Sequence, residues 1–200
     1  MRLLVYLISM VCGAAPSFGA KQAVALDGSI FVLSADGSRL QVTSSLTDSQ
    51  PDLALDGTKV VFVRKTDIGS EIWIAGVGSG ASPARPLLKP PLRIMGRTFS
   101  QFFNPKFSPD GETVFFLIPF AATTQAILRI LISNPEPKLV AAALNFVVVL
   151  GGQYRGDLVA QIRKAKLAPG FYEWYWLLTP DGKEIGIVGQ DEHDVARFME

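Results

Sequence analysis

The chain contains an ungapped internal repeat, which constrains its fold more than any other feature of the sequence. Residues 50–62 read QPDLALDGTKVVF and residues 104–116 read NPKFSPDGETVFF, so equivalent positions lie 54 residues apart. A weaker third copy runs from Leu150 to Ala160, with Gly156 in the glycine position. A period of this size is typical of architectures in which each copy is one supersecondary unit.

Each copy is followed by a strand, a polar turn and another strand. These second elements span residues 72–87, 127–140 and 174–188. A further one, at residues 30–43, has no copy in front of it. One copy and its second element together give about four antiparallel strands in roughly 45 to 55 residues, which is the size of a four-stranded blade.

Strand and turn signals fill the rest of the sequence. Asp-Gly occurs five times, and because Gly reaches positive φ at no steric cost, these pairs predict the primed turns of tight hairpins. Helical periodicity is restricted to a turn or two at residues 192–199. The sequence therefore predicts an all-β chain. Its short β-branched or aromatic runs span residues 30–33, 60–63, 72–74, 114–117, 127–132, 146–149 and 174–178.

The stretch Pro-x-x-Ser-Pro-Asp-Gly-x-x-Val-x-Phe at residues 105–116 resembles the WD40-like repeat of TolB-type β-propellers, which also occurs in propellers attached to prolyl-oligopeptidase-class enzymes. The copy at residues 51–62 fits with Ala54 and Leu55 in place of Ser-Pro. The resemblance implies about three four-stranded antiparallel blades of such a propeller within residues 20–200.

The family usually closes six or more blades, so a chain of this length would form about half of a ring. Three arrangements are open at this point. Two chains join as a homodimer to complete the ring, the sheet edges meet a partner, or the blades form a compact open stack.

Residues 1–19 have the pattern of a secretory signal peptide. Arg2 supplies the positive charge, residues 3–15 are almost unbroken in apolar character, and Ser17 and Gly19 fit the small positions before a cut after Gly19. About thirteen apolar residues are too few for a membrane-spanning helix, which disfavours an N-terminal anchor. Acylation at Cys12 is disfavoured by the residues before it. We expect secretion, and a remainder without cysteine suits a bacterial periplasm.

Composition excludes several classes of protein. Hydrophobic residues make up 48% of the chain and charged residues 18%, with a net charge of +1 and one cysteine. These values exclude a disordered tail, a collagen-like repeat and a disulfide framework. They also exclude the clustered positive charge that nucleic-acid binding needs.

Catalytic motifs are missing from the sequence. The stretch from Gly76 to Gly80 has glycine where a Gly-x-Ser-x-Gly nucleophile would lie, and no hydrolase-sized region follows the repeats. His193, the only histidine, lies in Asp191-Glu192-His193-Asp194, which we interpret as a solvated acidic turn. We therefore expect a protein that is not an enzyme and that uses neither metal nor cofactor.

Six residues form the predicted binding site. Gln50 and Asn104 begin equivalent inner strands, so both should point towards the mouth of the propeller. The connection that leads to Asn104 contains Arg97, Phe99, Phe102 and Phe103. Aromatic residues with a nearby arginine are typical of protein interfaces, although packing between blades is the alternative for the three phenylalanines.

The resulting hypothesis is a secreted, periplasmic, non-enzymatic protein that binds another protein through the mouth. One alternative is a carbohydrate-binding or small-ligand-binding module, or an enzyme, at the same mouth. Asp52, Lys106 and Arg155 are the titratable residues that the repeat copies offer for such a site. A second alternative is a degenerate propeller fragment without independent function.

Overall fold

A computed structural model of the chain describes residues 21–79, 81–166 and 169–200. The predicted signal peptide at residues 1–19 and Gly80 lie outside the described residues. Most described residues belong to antiparallel sheets that follow one another along the chain, and in each sheet the strands pair in sequence order. The prediction of an all-β fold is confirmed. No helix in the described ranges has the length and apolar character that a membrane crossing requires.

Sheet 1 has three strands where the sequence analysis predicts a single leading hairpin. The first of them is the additional one, and it pairs with the second through the two-residue turn Asp27-Gly28. The strands are β1 (Gln22–Leu26), β2 (Ser29–Leu33) and β3 (Arg39–Gln41).

Sheet 2 has four strands and corresponds to the first repeat copy with its second element. A short hairpin links it to the next sheet. The strands of sheet 2 are β4 (Asp48–Leu53), β5 (Lys59–Thr66), β6 (Gly69–Gly76) and β7 (Arg85–Leu88). The hairpin consists of β8 (Leu92–Ile94) and β9 (Arg97–Phe99).

Sheets 3 and 4 also have four strands each, which confirms the predicted three blades. The strands of sheet 3 are β10 (Phe103–Phe107), β11 (Thr113–Ala121), β12 (Thr124–Leu131) and β13 (Lys138–Ala143). Those of sheet 4 are β14 (Asn145–Val148), β15 (Leu158–Ala165), β16 (Phe171–Leu178) and β17 (Glu184–Gly189). A final helix, α1 (Glu192–Met199), occupies the predicted helical residues.

The third repeat copy begins earlier than the sequence analysis places it. Its inner strand β14 starts at Asn145, five residues before Leu150, and the turn that follows is longer than in the other copies. Gly156 lies in that turn, where its amide donates to the Val149 carbonyl. The lengthened turn is the reason why an ungapped comparison misplaces the strand.

The five Asp-Gly pairs all lie in hairpin turns, but the expectation of primed turns holds only for Asp27-Gly28. There both residues have positive φ, at 49° and 73°, whereas in the other pairs only the glycine does. In three of the others the aspartate accepts a hydrogen bond from the amide two residues later, as Asp56 does from Thr58 at 2.9 Å. The side chain thus stabilises a turn of another type.

Apolar layers between successive sheets form the core. The layer between sheets 2 and 3 contains Val61 and Ile72 from one side and Phe116 and Leu128 from the other, all fully buried. Similar layers join sheets 1 and 2 and sheets 3 and 4. The sheets therefore stack face to face, and the first strand of each four-stranded sheet lies on the inner side of the arc.

Candidate functional site

An open cleft of about 1340 Å³ lies on the inner side of the arc. One wall is the whole of β1, and the other surfaces come from the second half of β4, the beginnings of β10 and β14, and single residues of β11 and β12. Its lining combines polar side chains with apolar ones in about equal numbers. Lys21, Asp52 and Lys106 are its charged residues.

Three residues with amide side chains are linked by hydrogen bonds in a row across the cleft. Gln50, Asn104 and Asn145 lie near the beginnings of three consecutive inner strands. The backbone N–H of Asn104 donates to Gln50 Oε1 at 2.6 Å, and the side-chain Nδ2 of Asn104 donates to Asn145 Oδ1 at 3.2 Å. Asn145 Oδ1 also accepts from the Phe146 N–H at 2.9 Å. The row links sheets 2, 3 and 4 and presents amide groups to solvent.

The backbone at two of these residues is held in an unusual conformation. Gln50 and Asn104 have φ of 49° and 50°, and each lies within a register shift between the inner strand and its neighbour. Each also precedes a proline, Pro51 or Pro105. Such bulges redirect a side chain out of the regular alternation. Strained backbone that is repeated at equivalent positions marks a site that the surrounding sheet maintains.

Asp52 joins the same two sheets one step deeper in the cleft. Its Oδ1 accepts from Lys106 Nζ at 3.1 Å, and its Oδ2 accepts from the Phe107 N–H at 2.8 Å. The first sheet of the pair therefore supplies side-chain acceptors to the backbone of the second. Because Asp52 is committed to these two bonds, it contributes structure to the cleft rather than a free carboxylate.

One further amide acceptor in the cleft wall is unsatisfied. Gln125 Oε1 is buried and has no hydrogen-bond partner among the described residues. Buried polar atoms usually have a partner, so this oxygen is an exception among the described residues. The cleft can thus recognise polar groups through amides and backbone.

The predicted site residues separate into two groups in the structure. Gln50 and Asn104 are brought together in the cleft, and Phe103 lines it beside them. Arg97 lies on the hairpin β8–β9, where its guanidinium donates to the Phe120 carbonyl and lies over the rings of Phe99 and Phe120. Arg97 is exposed, but it does not line the cleft.

Phe99 and Phe102 belong to the core. They are 5% and 1% exposed and pack between sheets 2 and 3, with Phe102 edge-on to Phe116 at 5.8 Å between ring centroids. The Phe102 N–H and carbonyl both bond the Ser70 hydroxyl, which fixes the connection to the β5–β6 turn. Their burial favours the packing alternative, because their rings are not available to a partner.

Asn145 and β1 are parts of the cleft that the sequence analysis does not identify. Asn145 has the same place as Gln50 and Asn104, but no proline follows it and its copy has a longer turn. The only signal in the sequence is an amide residue just before the apolar run at residues 146–149. The sequence of β1, QAVAL, is rich in alanine and therefore has a weak strand signal.

His193 and the acidic residues around it lie at the start of α1. The Asp191 side chain accepts hydrogen bonds from the backbone amides of His193 and Asp194, which is helix N-capping. No group of three or more His, Cys, Asp or Glu side chains suited to a metal ion occurs within the described ranges.

Comparison with known proteins identifies the fold through structure rather than sequence. Neither a protein-family model nor a curated protein sequence matches the chain. TolB from Acinetobacter baumannii matches with a TM-score of 0.57 and 14% identity, over 81% of this chain and 38% of that one. This chain therefore spans well under half of the length of TolB.

Two proteases contain similar propellers. The β-propeller domain of the Trilobed protease from Pyrococcus furiosus matches with a TM-score of 0.54 and 14% identity, over 82% of this chain and 49% of that one. The tricorn protease matches with a TM-score of 0.58 and 14% identity, over 84% of this chain and 15% of that one. At this identity the similarity concerns the fold alone. The chain has the fold of a partial TolB-like β-propeller, with three four-stranded blades preceded by a three-stranded sheet.

Proposed function

We propose that the protein is a non-enzymatic binding protein of the periplasm that holds a segment of another protein in the cleft. The observation that carries the proposal is the row of Gln50, Asn104 and Asn145, which offers amide donors and acceptors from three blades along one line. Amide side chains pair with the backbone of an extended chain as well as with polar side chains.

The charges in the cleft support binding rather than hydrolysis. Asp52 is engaged by Lys106 and by the Phe107 amide, and the repeated turn aspartates bond their own turns. A nucleophile with an adjacent base, which acyl transfer needs, is not formed by the described cleft residues. The chemistry offered is therefore hydrogen bonding.

The test replaces the amide row while keeping its backbone. The triple variant Gln50→Gly, Asn104→Gly and Asn145→Ala places glycine at the two positive-φ positions, because glycine adopts that conformation without strain. The control variant carries Glu136→Ala and Lys138→Ala, two exposed residues at the outer strand β13. Each tagged protein is incubated with a periplasmic extract, and the proteins that it retains are identified by mass spectrometry.

The proposal predicts a protein that the wild type and the control retain and the triple variant loses, with unchanged circular dichroism. Equal retention by all three would remove the amide row from the function. The localisation is tested separately by fractionating cells that express the full chain and sequencing the N-terminus. We expect periplasmic protein that begins at Ala20, and uncleaved protein in the cytoplasm would refute the secretion proposal.

A further inference from the structure

Among the described residues, sheet 1 lacks the innermost strand that each of the four-stranded sheets has. Its first strand, β1, corresponds to β5 rather than to β4. The Lys21 side chain lies against Gly57, 3.5 Å from where a Cβ would be, just as Lys59 lies against Gly111 in the next sheet. The position equivalent to β4 is thus vacant in sheet 1, and the cleft occupies that space.

One edge of β1 has no partner strand within residues 21–79, 81–166 and 169–200. The turn Asp27-Gly28 pairs Leu26 with Ser29, so alternate residues of β1 bond β2 and the residues between them face the opposite way. Ala23 and Ala25 therefore direct their N–H and C=O groups into the cleft. In β5 the residues of the same alternation face β4, where the Lys65 N–H donates to the Thr47 carbonyl and the Lys59 carbonyl accepts from the Ala54 N–H.

A second set of bonds is missing beside the same vacancy. Between sheets 2 and 3, Gln50 Oε1 accepts from the Asn104 N–H, and Asp52 Oδ2 accepts from the Phe107 N–H. The repeat places Gln50 N–H and Leu53 N–H at the equivalent positions of β4. No side chain in the described ranges accepts from either of these amides. A strand in the vacant position would supply both acceptors.

The residues before β1 do not carry such acceptors. Residues 1–20 contain no Asp, Glu, Asn or Gln. This chain's own N-terminal sequence offers only Ser and Tyr hydroxyls there, and no amide or carboxylate like those of Gln50 and Asp52 one blade further on. Exposed Lys21 at the end of β1 adds a positive charge that favours an acidic segment.

We propose that sheet 1 binds an extended segment of a partner protein as its fourth, innermost strand, antiparallel to β1. The segment carries an amide or carboxylate side chain at one position and a carboxylate two residues later, which is the pattern of Gln50 and Asp52. Addition of a strand to an open sheet edge provides affinity through main-chain hydrogen bonds and specificity through alternate side chains. The proposal rests on the proposed function and specifies how the cleft is used.

The probe is a fluorescein-labelled peptide with the sequence TDSQPDLA, which is that of residues 47–54. Its binding to the secreted chain is measured by fluorescence anisotropy. We expect saturable binding. Replacing the second Asp of the peptide by Ala should weaken it about tenfold, because a charge-assisted hydrogen bond is lost.

The matched protein variants are Ala25→Pro and Ala25→Thr. Proline removes the N–H that points into the cleft and leaves the β1–β2 bonds intact, whereas threonine keeps that N–H. Ala25→Pro should weaken peptide binding at least about tenfold and Ala25→Thr should not. If Ala25→Pro lowers the folded fraction, the peptide substitution on the wild-type protein provides the same test.

Three results would overturn the proposal. The first is the absence of saturable binding up to about 1 mM peptide. The second is equal peptide binding by Ala25→Pro and wild type. The third is a dimer of this chain that no longer binds the peptide, which would show that a second copy fills the edge. The proposed function is judged independently by the protein retained from the extract. If the amide-row variant loses that protein and Ala25→Pro keeps it, the cleft binds a partner without strand addition.

Discussion

Asp48 and Arg64 form the most buried of the ion pairs in the described part of the chain. The carboxylate of Asp48 is fully buried, and Arg64 contacts it with two hydrogen bonds of 2.7 and 2.9 Å. Arg64 also stacks on Trp73, with 3.8 Å between its Cζ atom and the ring centroid. Burial acts to raise the pKa of Asp48, but hydrogen bonds from Arg64, Thr43 and Ser45 outweigh it and hold the pKa below 3.8.

This pair makes stability depend on pH in a defined direction. Because the pKa of Asp48 is lower in the folded than in the unfolded chain, the pair stabilises the fold fully above the ordinary pKa of 3.8. This stabilisation is lost progressively as the pH falls from 3.8 through the lowered pKa of the folded chain. Asp48→Asn should lower the free energy of unfolding by about 3 kcal/mol at pH 7, and by less below pH 4.

Urea denaturation of wild type and variant from pH 7 to pH 3 measures this difference. Glu112→Gln is the control, since Glu112 is 61% exposed in its pair with Lys59 and should contribute less than about 1 kcal/mol. A difference between wild type and Asp48→Asn that stays constant down to pH 3 would contradict the assignment.

Position 28 requires glycine, because of both its backbone conformation and the atoms around it. Its φ is +73°, and a Cβ there would lie 2.0 Å from the Leu46 carbonyl oxygen. Gly37 has a similar φ of +80° but open space around it. Gly37→Ala should therefore cost only the left-handed strain of about 1–2 kcal/mol, and Gly28→Ala distinctly more. Equal melting temperatures of the two variants would show that the close approach to Leu46 does not affect stability.

At the scale of elements, the hairpins could be predicted from local chemistry and the inter-blade contacts could not. Runs of β-branched and aromatic residues with Asp-Gly turns locate β5, β6, β11 and β12 because those signals are local. The burial of Phe99 and Phe102 depends on how sheets 2 and 3 pack together, and the sequence of the connecting loop alone does not determine that packing. Gln50 and Asn104 could be placed together because their repeat copies align without a gap, whereas the longer turn after β14 conceals Asn145.

Helix α1 covers the outer face of sheet 4. Val195 is 3% exposed and packs with Val149, Val159 and Leu177, and Phe198 stacks on Tyr154 at 5.6 Å between ring centroids. This is the face opposite to the one that sheet 3 covers. In a ring, the next blade would pack there, so the helix substitutes for a neighbouring blade.

Placing a charge in that layer should uncover the face. Val195→Asp should detach α1, increase the fluorescence of a hydrophobic dye such as ANS, and promote self-association seen by light scattering. His193→Ala, at an exposed position of the same helix, should change neither signal. If Val195→Asp leaves dye binding at the wild-type level, sheet 4 does not need the helix.

At the scale of the whole molecule, the part of the chain that the structure describes forms an arc that is covered at one end and lacks an innermost strand at the other. Sheet 4 ends the arc under α1, and sheet 1 ends it with an unpaired edge that lines the cleft. Of the three arrangements that the sequence left open, we propose the one in which a sheet edge meets a partner, and this asymmetry supports that proposal. Helix α1 occupies the face of sheet 4 that a blade of a second chain would need in a ring of two chains.

Amide hydrogen exchange along β1, followed by NMR, tests this account most directly. In an open arc the Val24 N–H, which pairs with Phe31, is protected, and the Ala23 and Ala25 amides on either side exchange rapidly. Protection of Ala23 and Ala25 equal to that of Val24 in the isolated protein would contradict the account, because it would mean that the edge is already paired.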